Sequence, residues 1–206
     1  MPHSVLHTLL LLQAFNALIN SYIDNEVGIS NGFLSKDLAA QLQRNLLGLY
    51  RGHQFHKAGT GNKTASANIA VRTDLIYWLD RAHNNPYEND FFDLIDSFVA
   101  YLNSTCYTGI TGYEFHYALY ETGSFYKKHL DRFRNDSGRK YSMITYLNPL
   151  WQQGDGGELC IYQNDEQQLI SPDNCKSIFF KSDELEHEVL VTNKPRMSIT
   201  GWLKVG

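Results

Sequence analysis

Apolar positions along the chain follow two different periods, and the change falls between residues 105 and 113. Before it, they recur at the three-to-four-residue spacing of amphipathic helices. Val5, Leu6 and Leu9 to Leu12 begin such a face, interrupted by His7, Gln13 and Asn16. The stretch lacks a basic flank and a small-residue cleavage site, so it is expected to be a helix docked on the domain rather than a signal peptide or a membrane anchor. Behind Ser35-Lys36-Asp37, a helix start, Leu34, Ala39, Leu42, Leu46, Leu47 and Tyr50 share one face. Phe92, Ile95, Phe98, Val99 and Leu102 form a second apolar stripe within residues 91–102. Between the two, Gly59-Thr60-Gly61-Asn62-Lys63-Thr64 reads as a flexible loop that leads into a strand-like run over residues 69–78.

After the change, the period drops to two. Short alternating segments lie near residues 115–120, 141–147, 158–162, 168–170, 177–181, 186–191 and 197–203. Turn-forming clusters separate them, among them Asn135-Asp136-Ser137-Gly138, Gln153-Gly154-Asp155-Gly156-Gly157 and Ser171-Pro172-Asp173-Asn174. This spacing predicts a mainly β chain with N-terminal helices, its strands forming a sandwich, barrel or jelly roll. One domain spanning residues 1–206 is expected. Residues 1–105 would give helical support, with a substrate loop near 57–74, and residues 106–206 would form the β core.

Composition narrows the class. With 43% hydrophobic, 19% charged and 13% aromatic residues, the chain reads as globular and suited to half-buried strands. A net charge of -4 gives no broad basic surface, so neither nucleic acid nor a membrane is an expected partner. Cys106, Cys160 and Cys175 are odd in number and widely spaced, which suggests free thiols and a cytoplasmic setting.

His129-Leu130-Asp131 is the first chemical signal. On a strand, residues i and i+2 share a face, so the imidazole and carboxylate would project together. Nitrogen plus carboxylate is half of the two-histidine, one-carboxylate set that holds Fe(II) and leaves positions open for a cosubstrate and oxygen. An isolated H-x-D is more often an exposed ion pair. The downstream His187, in Leu185-Glu186-His187-Glu188-Val189, offers the second histidine. Arg196 then follows the Asn193-Lys194-Pro195 turn, and a guanidinium is suited to holding a carboxylate bidentately. Tyr146 is equally a core residue on this evidence, and Trp78 and Trp202 read as packing residues. His116 and the His53/His56 pair lack a downstream His and Arg at telling distances and read as structural.

In order and spacing, His129-x-Asp131, Gly156-Gly157-Glu158-Leu159, His187-Glu188-Val189 and Arg196-x-Ser198 resemble the prolyl 4-hydroxylase branch of the 2-oxoglutarate oxygenases. The resemblance runs from about Val71 to the C-terminus, and residues 115–133 resemble bacterial relatives of the hypoxia-inducible-factor prolyl hydroxylases. It implies a double-stranded β-helix, a form of jelly roll. His129, Asp131 and His187 would bind Fe(II), with 2-oxoglutarate and O2 as cosubstrates. Arg196 and Tyr146 would hold the distal carboxylate of 2-oxoglutarate, and Tyr120 would lie near its other end. Arg72-Thr73-Asp74-Leu75-Ile76-Tyr77-Trp78 resembles the R-G-D-x-I-x-W segment that follows a mobile substrate-covering loop, with Thr73 in place of the glycine. Arg139 matches a rim arginine linked to prolyl substrate binding. The reaction implied is hydroxylation of a prolyl residue with release of succinate and CO2. The partner implied is a protein bearing the target proline, with elongation factor Tu as the candidate. Hydroxylation of free proline or another small molecule, and a non-catalytic β-sandwich binding module, are the alternatives.

Overall fold

The computed structural model describes residues 3–59, 71–131 and 138–206, with side chains from residue 8 onward. Each apolar stripe of the first half is a helix: α1 (His3–Asn25), α2 (Lys36–Arg51) and α3 (Pro86–Thr105). The Ser35 side chain caps α2 by accepting from the Leu38 amide at 3.2 Å, and Asn85 caps α3, whose first turn carries Pro86. These groups satisfy amides that a helix start would otherwise leave unpaired. Among the described residues, no helix is long and apolar enough to cross a membrane.

The remainder folds into two antiparallel sheets. The larger runs in the order β1 (Gly28–Ser30), β9 (Ser177–Lys181), β6 (Arg139–Tyr146), β11 (Arg196–Lys204), β4 (Gly112–Tyr120), β3 (Leu75–Trp78), β2 (His56–Lys57). The smaller runs β5 (Tyr126–His129), β10 (Glu186–Val189), β7 (Leu159–Gln163), β8 (Glu166–Ile170). Two facing sheets with helices on the outside of one give the jelly-roll core that the period-two pattern predicts.

Alternation along each central strand divides the core in two. On β4, Phe115, Tyr117 and Leu119 face the helices, where they join Phe15, Leu42, Leu46, Phe91 and Phe98 in one cluster. His116, Ala118 and Tyr120 face the smaller sheet, and Ala118 and Tyr120 join Ile144, Tyr146, Leu159 and Ile161 there. Strand β11 alternates in the same way, with Met197, Ile199 and Leu203 toward the helices. Both faces of the large sheet are covered along these strands, so most of their residues are buried. Only the polar ones on the inner face have chemistry to offer.

The structure corrects several expectations. The strand-like run over 69–78 is a strand only from Leu75, and residues 60–70, with most of the Gly-rich loop, lie outside the described residues. The Asn135-Asp136-Ser137 turn lies outside them too. Strands β1 and β2, three and two residues long, were not predicted, and of β5 only a strand carrying His129 was expected, since Tyr-Lys-Lys-His has no apolar alternation. A side chain at Gly28 would place its Cβ 2.6 Å from the Leu18 carbonyl oxygen, so glycine lets β1 run close under α1.

Candidate active site

Strands β5 and β10 pair antiparallel, with His129 directly opposite His187. Cross-strand pairing thus brings together two histidines far apart in sequence, their ring centroids 4.3 Å apart. Asp131 joins them differently from the expected shared strand face. β5 ends at His129, and Asp131 sits in the bend beyond it, its amide donating to the Ser182 carbonyl at 3.1 Å. His129 Nε2 lies 3.4 Å from one Asp131 oxygen and His187 Nε2 lies 3.7 Å from the other. The three donor atoms all lie within 4.8 Å of one another, close enough to share one ion.

Their surroundings orient them. His129 Nδ1 is 2.8 Å from the Lys127 carbonyl and His187 Nδ1 is 3.1 Å from the Leu185 carbonyl. Each carbonyl holds the Nδ1 proton and leaves the Nε2 lone pair directed at the shared point. The Ser142 hydroxyl lies 2.7 Å from Asp131 Oδ2 and 2.9 Å from the Ser182 hydroxyl. Burial opposes ionisation of Asp131, but His187, His129 and Ser142 hold its carboxyl well below the usual carboxylate range. Burial lowers His187, against the pull of Asp131, which keeps the ring neutral. A carboxylate and two imidazoles make up a donor set suited to Fe(II). Tyr126 stacks on His129 at 3.5 Å, its phenol pushed up to about 12 by burial. The two touch despite their odd spacing because the β5–β10 register shifts between His187 and Val189.

These ligands open onto a cavity of about 410 Å³ between the sheets. Arg196, 3% exposed, is on its wall. Its Nε donates to the Gly157 carbonyl at 2.8 Å, and its guanidinium carbon lies 4.8 Å from the Tyr120 ring centroid and 4.9 Å from that of Tyr146. Among the described residues no carboxylate pairs with it. The Tyr146 hydroxyl beside it is sealed from solvent and has no hydrogen-bond partner of good geometry, and burial raises its phenol while Arg196 opposes the rise. An uncompensated buried cation next to an orphaned hydroxyl calls for a buried anion with several acceptors. The far carboxylate of 2-oxoglutarate is such a group.

The structure brings Arg72, Asp74, Tyr120 and Arg139 to the same cavity. Arg72 grips Asp74 bidentately at 2.7 and 2.6 Å and lies over the Tyr126 ring. Burial opposes its charge, but Asp74 holds it above the ordinary arginine value. Arg139 pairs with Glu114 at 2.7 Å and lies 3.5 Å over the Trp202 ring. Sequence reasoning missed Ser142 and Ser182, which carry no motif. It also treated Trp78, Trp202, His116 and His56 as packing or structural residues, whereas all four line the cavity. Alternation held the signal for two of them, since His116 shares its strand face with Tyr120 and Trp202 shares its face with Arg196.

Residues 115–204 match the 2OG-Fe(II) oxygenase superfamily. A prolyl-4-hydroxylase from Pseudomonas putida is 28% identical, the match covering 93% of this chain and 99% of that one, with a TM-score of 0.83. A prolyl hydroxylase from Trichoplax adhaerens, solved with a peptide of the hypoxia inducible factor oxygen degradation domain, is 26% identical over 99% and 94% of the two chains, with a TM-score of 0.85. The fold alone is shared with the epimerase SnoN, solved with Fe3+, alpha ketoglutarate and nogalamycin RO, at 13% identity over 94% and 84% of the chains and a TM-score of 0.66. With its His-Asp-His cluster at the heart of that fold, the chain carries a 2OG-Fe(II) oxygenase region over residues 115–204, resembles the prolyl 4-hydroxylases along most of its length, and is an iron(II)- and 2-oxoglutarate-dependent dioxygenase.

Proposed function

We propose that the protein hydroxylates a prolyl residue of a protein substrate, releasing succinate and CO2. The observation that carries this reading is the pairing, within one cavity, of the His129-Asp131-His187 donor set with the buried, anion-seeking Arg196. His129, Asp131 and His187 hold Fe(II). Arg196 and Tyr146 anchor the far carboxylate of 2-oxoglutarate, and Tyr120 borders the guanidinium on its other side. Fe(II) held there would activate O2, one oxygen atom going to succinate as 2-oxoglutarate is oxidised and loses CO2, the other to an unactivated C–H bond. The protein fixes the ligands, neutralises the cosubstrate and excludes water.

The likeness to a prolyl hydroxylase solved with a substrate peptide supports a peptide as the second substrate. Arg72 and Arg139 line the cavity, each held by a carboxylate, Asp74 and Glu114. Their fixed positions suit the orientation of a neutral peptide more than capture of a free amino-acid carboxylate. In this reading residues 1–105 support the catalytic core of residues 106–206 in one domain, and the protein works in the cytoplasm. Elongation factor Tu is the first substrate to test. Purified protein loaded with Fe(II) would be given 2-oxoglutarate, oxygen and either elongation factor Tu, a bacterial lysate or free L-proline, and products read by mass spectrometry. Oxygen added to a proline within a protein supports the reading. Hydroxylation of free proline alone would replace it with a small-molecule activity.

A further inference from the structure

His116 lines the cavity but takes no part in holding metal or 2-oxoglutarate. The inner-face residues of β4 and β11 pair as successive rungs: Tyr120 with Arg196, Ala118 with Ser198, His116 with Thr200, Glu114 with Trp202. At about 3.4 Å per residue, His116 stands roughly 14 Å along the strand from Tyr120, toward Arg139 and Trp202 and away from the cosubstrate anchor. Its ring packs against two neighbouring indoles, Trp78 at 5.0 Å and tilted by 58°, and Trp202 at 5.6 Å and 29°, which themselves lie 6.4 Å apart.

The imidazole Nδ1 is sealed from solvent and has no hydrogen-bond partner, while Nε2 is not among the sealed atoms. Burial, aided by the charges of Arg72, Arg139 and His56 and opposed by Asp131, lowers the ring to about 3, so at neutral pH it carries one N–H. A buried N–H without an acceptor is rarer and costlier than a buried lone pair without a donor. The proton therefore belongs on Nε2, on the cavity side. The result is a neutral donor on the wall of the cavity that holds His129, Asp131 and His187. The arginines facing it are each paired with a carboxylate, Glu114 being shared between Arg139 and Lys204, and a neutral N–H is complemented by a carbonyl oxygen.

We propose that His116 is a substrate-binding residue whose Nε2–H donates to a peptide carbonyl oxygen adjoining the target proline. This rests on the prolyl-peptide reading above and names a contact that fixes the peptide over the metal site. Replacing the ring with phenylalanine keeps the aromatic stack and removes the donor. His116→Gln restores an N–H on a shorter, non-aromatic frame.

The test measures succinate and hydroxyproline with an acetylated, amidated Ala-Pro-Ala peptide, with and without peptide present, for the unsubstituted protein, His116→Phe and His116→Gln. One lost hydrogen bond should raise the KM for the peptide about five- to tenfold in His116→Phe. The KM for 2-oxoglutarate and the peptide-free succinate rate should stay within about twofold, and His116→Gln should recover part of the loss. Nitrogen NMR of histidine-labelled protein should show the Nε2–H tautomer. An unchanged peptide KM in His116→Phe, a parallel rise in the KM for 2-oxoglutarate, or an Nδ1–H tautomer would overturn the assignment. If the unsubstituted protein leaves the peptide unhydroxylated, the prolyl-peptide reading falls and takes the assignment with it. If both proteins hydroxylate it equally well, only the assignment falls.

Discussion

Replacing Ser142 with alanine should weaken iron binding without touching any iron ligand. An ionised carboxylate accepts hydrogen bonds only, so Ser142 must be the donor in its 2.7 Å contact with Asp131, and Ser182 in turn donates to Ser142. The serine is fully buried, so no water replaces the lost hydroxyl without rearrangement. A charge-assisted hydrogen bond of this kind is worth about 1.5–3 kcal/mol. Two effects compete in Ser142→Ala. The carboxylate becomes more basic, which favours the metal, but it is freed to rotate and more readily takes a proton. Orientation dominates where all three donors must converge, and loss of such a supporting contact costs about 10- to 100-fold in metal affinity. Anaerobic calorimetric titration with Fe(II) would read the change directly, with circular dichroism confirming the fold. The KM for 2-oxoglutarate at saturating iron should stay unchanged, because Arg196 and Tyr146 are untouched. An iron affinity within about twofold of the unsubstituted protein would refute the claim that Ser142 positions Asp131.

Three further outcomes follow from the geometry. Arg196→Lys keeps the charge but loses the planar fork, and should raise the KM for 2-oxoglutarate about 10- to 100-fold, with turnover recovered at high cosubstrate; an unchanged KM would mean the anion lies elsewhere. Gly157 has φ +75°, and a Cβ there would lie 3.0 Å from Arg196 Cδ and from the Thr192 side chain. Gly157→Ala should therefore cost about 1–2 kcal/mol of stability and weaken 2-oxoglutarate binding, read by thermal melting and by the KM; a protein as stable and active as the parent would contradict this. The third outcome concerns pH. His116 has a folded pKa of about 3, below its ordinary 6.5, so between these values the unfolded chain binds the additional proton. Its contribution is fully present above pH 6.5 and is lost as the pH falls, amounting to about 2 kcal/mol near pH 5. Denaturant melts of metal-loaded His116→Phe should show a shallower loss between neutral pH and about pH 5 than the parent, and equal slopes would show that the ring is not held neutral.

The sequence carried the class of chemistry well because its signal is local. His129-x-Asp131, the downstream His187 and the post-turn Arg196 all converge on one cavity. What it could not carry was pairing. Nothing in the chain announces that β5 lies beside β10, since Tyr-Lys-Lys-His lacks an apolar alternation and gains its place from backbone hydrogen bonds and from the ligands it carries. For the same reason Asp131 was placed on a strand, when a bend and the Ser182 carbonyl position it. Alternation on β4 and β11 was visible, but not that both faces are covered, so the sequence did not show that His116, set aside for want of a downstream His and Arg, lines the cavity. Ser142 and Ser182 are ordinary strand serines until the fold sets them against a buried carboxylate.

In the proposed function this cavity couples iron-dependent consumption of 2-oxoglutarate to hydroxylation of a prolyl residue. The most direct test is the ratio of succinate formed to hydroxyproline formed, with Fe(II), oxygen and elongation factor Tu or the lysate protein it selects, beside Asp131→Ala as control. The ratio should be close to one with the unsubstituted protein, and Asp131→Ala should form neither product. Succinate without hydroxyproline on any protein, or hydroxyproline that persists in Asp131→Ala, would contradict it.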